Sequence, residues 1–156
     1  MRRSMLFLPG NNPNMLINGN CLGSDAVIFD LEDAVAPDQK DAARILVRNT
    51  LKYMDFRGCE RIVRINSIGT PYWQEDLKAL LPYKPDLILL DLNMPEMDGI
   101  ETMHRIRAKI GNYYRNVPIV ALTANAIAGA REMFLEEGFT DFLEKPLERS
   151  VLERVL

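Results

Sequence analysis

An α/β fold on a six-stranded parallel sheet is what this sequence predicts, from three features. Short apolar runs recur along the chain, each closed by Pro, Gly or an acid, as in strands buried on both faces. Segments with helical spacing of apolar side chains lie between them, giving the alternation of a βα repeat. Several runs also end on a side chain that can do chemistry, at the carboxyl ends where α/β sheets hold their sites.

The first run, Met5 to Leu8, stops at Pro9 and Gly10. Asn12 offers a cap and Pro13 a fixed φ, so a helix is expected from Pro13 to about Leu22. Ala26 to Phe29 form the second strand and finish in Asp30, Leu31, Glu32 and Asp33. Such an acidic turn serves equally as a solvated turn or as part of a site. Asp38 can cap a helix from Gln39 to about Tyr53, with Ala42, Ile45, Leu46 and Leu51 facing inward. Arg61 to Asn66 make the third strand. Its Arg64 reads either as an edge residue with its head in water or as an anion site. Pro71 opens a helix from Tyr72 to Leu81 with Leu77, Leu80 and Leu81 on its apolar face. Leu87 to Leu90 form the fourth strand, ending at Asp91, with Pro95 and Gly99 in the turn after it. A helix is expected from Gly99 to Ile110, a strand from Val117 to Leu122 ending at Thr123, and a helix from Ala126 to Glu137. A strand from Phe139 to Leu143 then ends at Glu144, Lys145 and Pro146, before a short helix from Leu147.

The chain has 156 residues, 47% of them apolar and 26% charged, which fits one domain with a true core and excludes extended disorder. A net charge of -3 gives no electrostatic case for nucleic acid or an anionic membrane. No stretch approaches the ~20 apolar residues of a membrane span. Cys21 and Cys59 stand far apart with only His104 as an imidazole, so zinc is not expected. Two reduced, buried thiols would suit a cytoplasmic protein.

Two resemblances follow. DLNMPEMDG, ALTANA and FLEKP, within residues 84–156, resemble the receiver domain of response regulators. That resemblance implies Asp91 as phosphoacceptor, Thr123 and Lys145 as its partners, and a histidine kinase as donor. RRSMLFLPGNNP, VIFDLEDAV and RIVRINS, within residues 1–82, are similar to the amino-terminal part of the citrate lyase β subunit family, acyl-CoA-dependent lyases on a (β/α)₈ barrel. This second resemblance implies an acyl-CoA or anion site at Asn11 and Asn12, Glu32 and Asp33 near metal and substrate, and Arg64 on a substrate carboxylate. It also implies magnesium ligands on later strands, taken to be missing.

The resulting expectation is a chimera, engineered or recombined, with fragments 1–82 and 83–156 sharing one sheet and neither parent activity intact. A functional receiver in a phosphorelay and an acyl-CoA lyase fragment stand as alternatives. The strand order expected is the Rossmann-like 3-2-1-4-5-6, three layers with helices on both faces, because the fourth strand is apolar on both sides. The alternative is an open half barrel, 1-2-3-4-5-6, dimerised. Asp91 should be buried only at its base. Any Mg²⁺ should bind weakly, through Asp91 and the Asn93 carbonyl, with Glu32 and Asp33 reaching it only by water or a bent loop.

Overall fold

A computed structural model describes residues 3–67, 69–92, 96–109, 111–123 and 130–145, without the side chains of 96–98 and 130. The six strands are β1 (Met5–Pro9), β2 (Ala26–Asp30), β3 (Glu60–Arg64), β4 (Leu87–Leu92), β5 (Ile119–Thr123) and β6 (Asp141–Glu144). The helices are α1 (Pro13–Asn18), α2 (Lys40–Tyr53), α3 (Trp73–Leu80), α4 (Glu96–Arg107), α5 (Asn112–Asn116) and α6 (Ala130–Glu137).

All five strand pairs are parallel, as expected, but their order is β1-β2-β3-β4-β5-β6, the half-barrel alternative and not 3-2-1-4-5-6. The reason is visible in the core. One cluster joins Leu16, Val47, Leu80, Met103, Ile106 and Phe134 of the helices to Val27, Phe29, Val63, Ile88, Leu90 and Ala121 of the strands. The buried members of the other cluster are strand residues alone: Ala26, Ile28, Ile62, Leu87, Leu89, Val120, Leu122 and Leu143, with Met5 and Phe7 packed against them. Every described helix in these clusters therefore covers one face, and the other is buried by the sheet curling over itself. β4 is buried along its whole length. Its double-faced apolarity reflects opposing strands, not a second layer of helices.

Local chemistry explains most element boundaries. Asn12 caps α1 by accepting from the Met15 amide at 3.2 Å, and Pro13 occupies the first turn. Gly10 is required by closeness, since a Cβ there would lie 2.8 Å from the Asp30 carbonyl oxygen. Asp38 does not cap α2, which follows a 3-10 turn over Pro37–Gln39 without a side-chain cap. The buried stripe of α2 is Lys40, Ala43, Val47, Thr50 and Leu51, while Ala42 and Ile45 are exposed. Burying Lys40 turns the helix one residue away from its most apolar face. α5 falls in a segment expected to be loop. Cys59 is half-buried, but Cys21 is exposed, contrary to expectation. Pro95, Ile110, the start of the helix expected from Ala126, and everything from Pro146 onward lie outside the described residues.

Candidate functional site

Side-chain alternation along a strand decides what reaches the inner side of the strand ends. In line with Ile28, Ile62, Leu89 and Leu143 come Asp30, Arg64, Asp91 and, just past β6, Lys145. Thr123 follows Ile119 and Ala121, which belong to the helix-side core. It is buried, and its carbonyl accepts from the Lys145 amide at 2.8 Å.

Arg64 lies in the middle of the sheet with 6% of its surface exposed, so it is no edge residue with its head in water. Its Nε donates to Asp30 Oδ1 at 2.8 Å and its Nη2 to Asp30 Oδ2, a bidentate pair. Nη1 faces Asp33 Oδ2 at 2.9 Å and Glu32 Oε2 at 3.3 Å. The Phe7 ring lies 5.5 Å from the guanidinium carbon. Burial opposes the Arg64 charge, but Asp30, Glu32 and Asp33 outweigh it and hold the guanidinium protonated.

Asp30 has a second role: its carboxylate accepts from the Glu32 amide at 2.8 Å and the Ala34 amide at 3.3 Å, which folds the acidic turn back over the strand ends. Lys40 braces the turn from outside, donating to the carbonyls of Leu31 at 2.7 Å and Glu32 at 2.6 Å. Beyond β3, fully buried Asp76 accepts from the Asn66 amide at 3.0 Å, from Asn66 Nδ2 at 2.7 Å and from Arg44 Nε at 2.6 Å. Lys40, Asn66, Arg44 and Asp76 were not foreseen. The partners lie far apart in the chain, and the one cue was a set of polar residues within amphipathic helices.

Asp91 is wholly buried, not merely at its base, because Glu32 and Lys145 close over it. Lys145 Nζ donates to Asp91 Oδ2 and lies 3.9 Å from Glu32 Oε1. Among the described residues, Asp91 Oδ1 and Glu32 Oε2 accept no hydrogen bond. Burial first, and the Asp91 carboxylate second, push Glu32 up to about 8 against the pull of Lys145 and Arg64. Burial and the neighbouring carboxylate thus both favour the protonated form of Glu32. The closeness of Glu32 to Lys145 also measures the curl. Strands stand ~4.8 Å apart, so β2 and β6 would be separated by ~19 Å in a flat sheet, beyond the joint reach of the two side chains.

Asn11 and Asn12 sit after β1, but their side chains are engaged, Asn11 with Gln39 and Asn12 in the cap of α1. α1 has only six residues, too few for an anion site at its amino end. Asn93 lies outside the described residues. Met103 and Ile106 are core residues, and His104 is exposed, 3.3 Å from Glu137. A depression of about 500 Å³ lies at the opposite, amino-terminal ends of the strands, lined by Arg57, Cys59, Arg61 and Asp86. Arg61 is already paired with Asp86 there, so the strand-end cluster is the better candidate.

A curled parallel sheet with charged side chains converging on its carboxyl mouth defines a (β/α)-barrel type of site. The family model for HpcH/HpaI aldolase/citrate lyase matches residues 3–137, and this chain belongs to that family. It is 40% identical over 110 residues to citrate lyase subunit beta of Leuconostoc mesenteroides subsp. cremoris, covering 70% of this chain and 35% of the relative. To the (3S)-malyl-CoA thioesterase of Cereibacter sphaeroides it is 44% identical over 88 residues, covering 56% and 31%. The chain thus spans about a third of the length of these curated relatives. Among solved structures it resembles protein CitE from Mycobacterium tuberculosis in complex with magnesium and acetoacetate, with a TM-score of 0.63 and 27% identity over 88% of this chain and 52% of that one. The same organism's citrate lyase beta subunit, complexed with oxaloacetate and magnesium, gives 0.63 and 25% over 97% and 69%.

These matches overturn the chimera. The family model runs straight through the supposed join at residues 82 and 83, and β3 pairs with β4 in a continuous register. The receiver and phosphorelay readings fall with it, and so does the histidine kinase partner. Beyond β4 the chain carries two further strands, β5 and β6, which end in Thr123 and in Glu144 and Lys145. The neighbours hold magnesium, whereas the described residues here fit it poorly. No three carboxylate, imidazole or thiol side chains among them converge on one point, and an ammonium already fills the gap between Asp91 and Glu32.

Proposed function

We propose that this chain supplies the carboxylate-recognition part of a lyase site of its family, with Arg64 as the group that takes the substrate carboxylate. The supporting observation is the asymmetry of the guanidinium. Nε and Nη2 are fixed by buried Asp30, while Nη1 faces Asp33, whose side chain is 69% exposed. Asp33 reaches in from solvent, so a ligand carboxylate can displace it more readily than buried Asp30, which keeps the fork aimed.

The substrate class is an oxo acid or the acid end of an acyl-CoA thioester. The relatives' names carry citrate and malyl-CoA, and the neighbours were solved with oxaloacetate and acetoacetate. Any magnesium binds weakly. Cytoplasmic residence accords with two unpaired thiols, and no described helix is long and apolar enough to cross a membrane. Self-association is part of the same reading, since the Leuconostoc relative is by name a subunit.

Calorimetry with oxaloacetate tests the assignment. The wild-type chain should bind it, Arg64→Lys should lose at least tenfold because an ammonium cannot reproduce the fork, and Asp33→Asn should gain a few-fold. Unchanged affinity in a folded Arg64→Lys variant would remove Arg64 from the site.

A further inference from the structure

We propose that Lys145 is the resident cation of the strand-end cluster: its ammonium holds the place between Asp91 and Glu32 that a divalent ion would otherwise take, and removing it opens a metal site. The proposal goes beyond carboxylate recognition and does not depend on it.

Three observations carry it. The first is convergence: Glu32 follows β2, Asp91 ends β4 and Lys145 follows β6, so alternate strands deliver one group each to the same point of the mouth. The second is valence. Asp91 is 0% exposed and its Oδ1 accepts no hydrogen bond among the described residues, while Glu32, 8% exposed, turns Oε1 toward Lys145 and Oε2 toward Arg64. A buried carboxylate oxygen left as Asp91 Oδ1 is left is what a hard cation seeks, and a magnesium site needs only one or two carboxylates with water completing the shell. The third is charge. Lys145 already pairs with Asp91, and Arg64 lies 3.3 Å from Glu32 Oε2, so each carboxylate already faces a resident cation. Lys145 is also 23% exposed in its side chain, so the place it holds opens to solvent water.

Mn²⁺ alone is the probe, followed by calorimetry and by the paramagnetic resonance of the free ion. Wild-type chain should show no saturable binding at millimolar Mn²⁺. Lys145→Ala and Lys145→Met should each bind at least tenfold more tightly, and the gain should vanish when Asp91→Asn is added to Lys145→Ala. Lys145→Arg keeps the cation and should stay as indifferent to Mn²⁺ as wild type. If Lys145→Ala does not fold in chelator, recovery of its far-ultraviolet circular dichroism with Mn²⁺ supports the proposal and lack of recovery counts against it. Binding by wild type as tight as by Lys145→Ala, or no gain in either folded neutral variant, overturns it. Oxaloacetate binding through Arg64 is read in a separate titration, so the two ideas can fail independently.

Discussion

Arg64 and Lys145 each bring a cation to a buried aspartate at the mouth of the same sheet, yet the two pairs are built differently. Asp30 receives two guanidinium nitrogens and two backbone amides, and Arg64 has further contacts to Asp33 and Glu32. Asp91 receives one ammonium and has an oxygen with no donor. The first pair sets the conformation of a loop as well as balancing charge. The second is a single contact at the end of a flexible stem, so it can be exchanged without unmaking the backbone around it.

The largest expected effect sharpens that contrast. Asp30→Ala strands a buried guanidinium and releases two amides of the acidic turn, so it should cost about 3–5 kcal/mol in urea unfolding. Lys145→Ala should cost clearly less. Equal costs would mean that the second pair is as deeply built in as the first.

Next comes the core shared by the two regions. Ile28 on β2 and Leu122 on β5 both lie fully buried in the all-strand cluster, and truncation of either to Ala should cost about 2–5 kcal/mol. A urea midpoint that barely moves for Leu122→Ala alone would show that β5 and β6 unfold apart from the first four strands.

The smallest effect, taken per pH unit, concerns pH. Glu32 titrates near 4.5 when free and at about 8 in the folded chain. Across that window the folded state holds a proton the unfolded state lacks, so stability falls as pH rises, by at most ~1.4 kcal/mol per pH unit. Glu32→Gln mimics the protonated group and should flatten this slope between pH 5 and 8. A wild-type slope no steeper than the variant's would show that Glu32 is ionised throughout.

Much of this architecture could be read from residues alone, because strand cores and their stop signals are local. Met5 to Leu8, Ala26 to Phe29 and Leu87 to Leu90 all lie within strands, and Leu77, Leu80 and Leu81 are buried as their spacing implied. Strand order was not local. An apolar β4 is consistent with either a second helical layer or a curled sheet, and the strand order, the all-strand cluster and the reach of Glu32 to Lys145 separate them. Among site residues, Asp91 and Lys145 stood out as polar groups after apolar strands, and Arg64 as a charge inside the third. Their partnerships did not: Asp30 had been one acid among three, and Lys40 carried no reading of its own. The receiver reading failed because DLNMPEMDG and FLEKP are short segments, whereas membership of a family is carried by the long match over residues 3–137.

The all-strand cluster has a consequence for traffic. Its eight buried side chains, from Ala26 on β2 to Leu143 on β6, are each no more than 3% exposed, so the hollow of the sheet is plugged along its length. Among the described residues, this plug separates Arg64 from the depression at the far ends of the strands. Among the described residues, Asp33 after β2 and Lys145 after β6 border the mouth. A ligand that reaches Arg64 from this end meets Asp33, 69% exposed in its side chain, before the buried pair of Arg64 and Asp30.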